Sequence, residues 1–172
     1  GGGLADGKGT SALVTGNSFV TIAGGKISGT IYAGGLSKND GTANVGGTAT
    51  VTFLADIGFE GTVDGSNAKA SVLAFGDGST VFNANFSGTF KNFDEVKAAQ
   101  GSRVSFKEIG NDQFKATGDN KDKLKLTGKG TVETEKFSLS TGQTLEILSG
   151  SFIASSAELN GGMLYWDPAW NE

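Results

Sequence analysis

The 172-residue chain holds 29 glycines, one proline, 12 phenylalanines and neither cysteine nor histidine, with 14 basic against 18 acidic side chains and a net charge of −4. These counts remove disulfides, thiolate and imidazole catalysis, the usual zinc sites and His- or Cys-ligated haem. The scattered lysines and the one arginine, Arg103, argue against a nucleic-acid partner. With 37% hydrophobic residues the chain can build one real core, so its glycines read as corners rather than as linker.

Residues 1–10 are small and polar and are expected to be loose. The opening Gly1-Gly2-Gly3 without methionine suggests a processed or trimmed chain. Strands are predicted at 18–23, 26–33, 48–54, 68–75, 79–86 and 88–91, then at 102–109, 113–117, 123–127, 130–139, 143–148, 150–154 and 157–166. Leu124 and Leu126 share one face of their run, as do Leu145 and Ile147. Turns are marked at Asp40-Gly41, Asp64-Gly65, Asp77-Gly78, Gly118-Asp119-Asn120 and Thr141-Gly142. One segment reads as a two-turn helix, 92–101, with Asn92 as N-cap and Gly101 as stop. A strand-like reading of it would instead turn Phe93 and Val96 inward. The last segment, 161–172, is expected to cap the domain. No apolar run approaches the ~20 residues that span a bilayer.

A short phrase recurs along this order: Ile27-Ser28-Gly29-Thr30-Ile31, Phe59-Glu60-Gly61-Thr62-Val63 and Phe86-Ser87-Gly88-Thr89-Phe90. An echo follows at Gly130-Thr131-Val132, and Phe114-Lys115-Ala116-Thr117 reads as a degenerate copy. Each copy joins strand-like residues through one glycine. Spacings of this size point to stacked repeats. The predicted fold is a single all-β domain, a parallel β-helix or solenoid-like stack, with a two-sheet β-sandwich or jelly roll as alternative. The open edges of such a stack would permit edge or end-to-end association, and the sequence does not fix an oligomeric state.

The third of these phrases, with Phe93-Asp94-Glu95-Val96 and Gly101-Ser102-Arg103-Val104-Ser105-Phe106, resembles the passenger repeats of Gram-negative autotransporters. So do Val20-Thr21-Ile22-Ala23-Gly24-Gly25-Lys26-Ile27, Ile31-Tyr32-Ala33-Gly34-Gly35 and Leu126-Thr127-Gly128-Lys129-Gly130-Thr131-Val132, and the resemblance covers most of 18–160. It implies export to the medium or the outer cell surface, a right-handed β-helical stack and a role in adhesion. Size, acidity, the missing residue types and the repeat style are also similar to the mucin-degrading aspartic-type proteases of mucus-dwelling gut bacteria. That resemblance implies a secreted endopeptidase acting on mucin.

Composition leaves open carboxylate chemistry, Ser-Lys chemistry or none, and no motif supports a Ser-Lys dyad. Two aspartates about 3 Å apart share a proton and can act as acid and base around a water. The aspartic-protease family carries Asp-Ser/Thr-Gly, whereas this chain has Asp40-Gly41-Thr42, Asp64-Gly65-Ser66 and Asp77-Gly78-Ser79, which also read as plain turns. Asp64 and Asp77 are the candidate pair, with Asp56 next. Tyr165, Trp166 and Trp170 could stack on sugar rings, although covering the end of the stack is the simpler role. The oxygen-rich turns at 118–122 and 39–41 match no calcium loop, and neither metal nor cofactor is expected. The function expected is a secreted or cell-surface module contacting mucin-type glycoprotein or a host surface protein. The alternatives are an aspartic-type endopeptidase and a structural spacer.

Overall fold

Short β-branched and aromatic runs alternate with residues that accept a left-handed backbone, and this sets the path of the chain. Asn67 and Asn92 (both φ 58°) and Asp122 (φ 59°) each stand just ahead of a strand. Asparagine and aspartate tolerate that region better than other residues with a Cβ.

The computed structural model describes residues 2–56, 58–79 and 81–167, and among them there is no α-helix. The strands are β1 (Leu4–Asp6), β2 (Ser11–Val14), β3 (Ser18–Ile22), β4 (Thr30–Tyr32), β5 (Leu36–Lys38), β6 (Thr42–Phe53), β7 (Thr62–Asp64) and β8 (Ala68–Phe75). There follow β9 (Asn83–Phe86), β10 (Thr89–Lys91), β11 (Glu95–Ala98), β12 (Arg103–Ile109), β13 (Lys123–Gly128), β14 (Thr131–Ser140), β15 (Thr144–Ile147), β16 (Ser151–Asn160) and β17 (Met163–Trp166). A 3-10 turn at Asn111–Gln113 precedes β13.

The fold is all-β and its sheets are parallel. The longest sheet runs β2–β6–β8–β11–β13–β15–β17, with β3 also on β6. A second runs β9–β12–β14–β16, a third β4–β7–β10, and β1 pairs with β5. Strands therefore pair with strands one circuit later. The register places Val20, Val51, Leu73, Val96, Leu126, Ile147 and Trp166 in one column. Five of these seven are at least 97% buried. Between the faces lies a phenylalanine cluster in which Phe53 and Phe75 stack with centroids 5.5 Å apart and Phe86 meets both edge-on.

Three copies of the repeated phrase lie on top of one another. Thr62 N–H donates to the Gly29 carbonyl at 3.0 Å, and Thr89 N–H to the Gly61 carbonyl at 2.9 Å. A Cβ on Gly61 would lie 1.9 Å from the Gly29 oxygen, so close stacking demands glycine there. The Gly130 echo lies elsewhere, opening β14 beneath Ser102. Phe114-Lys115-Ala116-Thr117 forms no strand, and only Phe114 bridges to Phe93.

Of the two readings of 92–101, the helix is corrected and the strand-like one holds: the segment carries β11, with Phe93 and Val96 inward. Asn92 is a left-handed corner rather than an N-cap. Phe93, Val96 and Ala98 are wholly buried, while β8 and β13 supply the backbone partners on either side. That packing outweighs local helix preference. Leu4–Asp6, within the segment read as loose, is a strand on Leu36–Lys38. The predicted strand at 113–117 is replaced by the 3-10 turn and a loop. Among the described residues no helix is long and apolar enough to cross a membrane.

Candidate functional site

The four-stranded sheet turns alternate side chains in and out. Ala84, Phe86, Val104, Phe106 and Val132 enter the core, so the residues between them face outward. Register then assembles polar rows across the strands. One row is Asn83, Arg103, Thr131, Ser151, and the next is Asn85, Ser105, Glu133, Ile153. Neighbours in a row stand about 4.8 Å apart. Asn83 and Arg103 of the first row and all four residues of the second line a groove of about 750 Å³.

The groove's one arginine is held in an ion pair with Glu133. Arg103 Nη2 lies 2.5 Å from Glu133 Oε1, and the Ser105 hydroxyl donates to Glu133 Oε2 at 3.0 Å. The hydrogen bond and charge from Arg103 hold the Glu133 carboxyl below its ordinary value, against the opposing effect of burial. The same hydrogen bond raises Arg103. Asp56, on the loop after β6, closes one side of the groove. Its carboxylate accepts from Gly58 N–H at 3.2 Å and from Asn85 N–H at 3.4 Å. Beyond this row the alternation of β12 and β14 breaks in step: Glu108 and Lys136 both face outward, with Lys136 Nζ 3.6 Å from Glu108 Oε1.

Of the three aspartates singled out in the sequence, only Asp56 belongs to the groove. Asp64 ends β7 with its residue 6% exposed. Its Oδ1 accepts from Ser66 N–H at 2.9 Å and Asn92 Nδ2 at 3.1 Å, and its Oδ2 pairs with Lys91 Nζ at 3.3 Å. Burial pushes this carboxyl up, but those hydrogen bonds and the Lys91 charge outweigh it and hold it below its ordinary value. Asp77 lies on an exposed turn past the other end of β8, where it accepts from Ser79 N–H and Oγ. Most of β8, eight residues at ~3.3 Å each, separates the two, so they are not brought together as a dyad. Tyr165 and Trp166 lie on β17, 45% and 53% exposed, away from the groove. Trp170 lies outside the described residues.

Sequence reasoning also missed a buried polar cluster. Lys115 Nζ reaches Asp94 Oδ2 and the Ala68 carbonyl, and Ser71 donates to the same Oδ2 from its backbone N–H at 2.6 Å and its hydroxyl at 2.9 Å. An acid among the inward-facing Phe93, Val96 and Ala98 was the available signal. Among the described residues no group of three or more acids converges as a cation site.

Comparison of the chain with family models, curated proteins and solved structures finds no match to any of them.

Proposed function

We propose that the protein is a non-catalytic β module, displayed outside the cell, that holds a glycan chain of a mucin-type glycoprotein in the groove across β9, β12, β14 and β16. The observation that carries this reading is the pair of polar rows. Asn83, Asn85 and Ser105 offer both donors and acceptors at sheet spacing, the mixture that hydroxyl and acetamido groups of a sugar require. Ile153, 49% exposed, supplies an apolar contact at the end of the second row. The charge balance selects among glycans. Arg103 is neutralised by Glu133, while Asp56 and Glu135 remain on the lining. A sialylated or sulfated chain would meet net negative charge, so a neutral one is favoured.

Calorimetric titration with desialylated mucin O-glycans tests this. Binding is expected, and Asn85→Ala should weaken it about tenfold, the equivalent of ~1.4 kcal/mol. Silence of the wild-type protein, or equal affinity in Asn85→Ala, would overturn the reading.

A further inference from the structure

The exposed apolar side chains are concentrated at two places. Of the ten large hydrophobic residues that are exposed among those described, only Val81 lies in the middle of the stack. The others sit on β1 to β3, in the first described coil, or on β16 and β17, in the last. Phe19 is 71% exposed, Tyr165 45% and Trp166 53%. The long sheet also ends on β2 and β3 at one edge and on β17 at the other, and every pairing between them is parallel. The two edges thus have the polarity that a further parallel pairing needs.

Their charges are opposite as well. Residues 1–33, which precede the second circuit, carry Lys8 and Lys26 against one acid, Asp6. Residues 139–167 carry Glu146, Glu158 and Asp167 and neither lysine nor arginine. Two surfaces of one molecule that are apolar, edge-exposed and of opposite sign are complementary to each other rather than to themselves.

We propose that the last coil of one molecule stacks on the first coil of a second copy, β17 pairing in parallel with β3. Continuing the internal register sets Val20 of the incoming copy on Trp166, which heads the core column, and Phe19 beside Tyr165 on the outer face. The contact is head-to-tail, so it propagates into open filaments unless the rotation closes. It is independent of the glycan reading, though a filament would repeat the groove along its length and strengthen attachment through multivalency.

Sedimentation velocity on the 172-residue chain, from roughly 1 to roughly 100 μM at low and at high salt, tests this. The wild-type protein should form dimers and longer species as concentration rises, and salt should weaken them. Phe19→Lys and Tyr165→Lys alter exposed side chains, so circular dichroism should show the fold unchanged. Each variant alone should associate at least tenfold more weakly. An equimolar mixture of the two should recover a dimer that grows no further, because each variant keeps one intact end. A wild-type protein monomeric throughout overturns the proposal. So does association that survives both substitutions, or that only one of them abolishes.

Discussion

Lys115 Nζ lies 2.7 Å from Asp94 Oδ2, and the two side chains are only 8% and 9% exposed. The pair ties the loop after the 3-10 turn to the start of β11, one circuit earlier. Ser71 on β8 completes the cage, so three successive circuits meet at one carboxylate.

Lys115→Met should destabilise the protein by about 3–5 kcal/mol, because it leaves the Asp94 charge buried without its counterion. Asp94→Ala should cost a similar amount by stranding Lys115. The double variant should lose clearly less than the two single losses added together, and urea denaturation of the three proteins measures this coupling.

Gly61→Ala should cost about 1–3 kcal/mol, since its Cβ would meet the Gly29 carbonyl and the Phe59 ring, which can yield only by spreading the coils. Gly24→Ala is the control. Nothing lies within 4 Å of the position its Cβ would take. It should change thermal stability little.

Phe86→Ala should cost about 3–5 kcal/mol. Its ring contacts Phe53, Phe59, Phe75 and Phe106, with centroids 5.3 to 5.6 Å away. Denaturant unfolding would report the loss, and a loss under 1 kcal/mol would show that the neighbouring rings collapse into the space.

Asp64 is held below its ordinary value in the folded protein, so its ionised form stabilises the fold. That contribution is present above the unfolded value of about 3.9 and is lost as pH falls through the depressed folded one. Asp64→Asn should therefore be less stable than wild type at pH 7, and the gap should shrink in acid. The Glu133 carboxyl, lowered by Arg103, follows the same sign. A gap that is constant from neutral to acid pH would contradict the assignment.

What the sequence made legible was the stacking of equivalent residues. The glycines at 29, 61 and 88 do form one corner, and the alternation of Leu124 with Leu126 and of Leu145 with Ile147 marks inward faces. β11 was legible only as an alternative, because Glu95-Val96-Lys97-Ala98 is locally helix-compatible and the flanking strands make it extended. The groove was hidden for a different reason. Asn85, Ser105 and Glu133 are 20 and 28 residues apart, and unequal circuits conceal which positions align. Asp56 stood out by following an apolar run, yet nothing local showed that it would reach Asn85. Asp64 and Asp77 look alike as Asp-Gly turns, and their burial differs because only the first lies beneath another coil.

The unbroken column from Val20 to Trp166 bears on how the molecule yields to force. Because each strand is hydrogen-bonded only to strands of neighbouring circuits, tension on the two termini would peel layers from the outside inward. The end layers, β2 and β3 at one edge and β17 at the other, would go first, since each has a neighbour on one side only, and the phenylalanine-filled middle would hold longest. A molecule built this way would lengthen by about one circuit, some 20 to 30 residues of slack, at each event, and so would release load in steps rather than all at once.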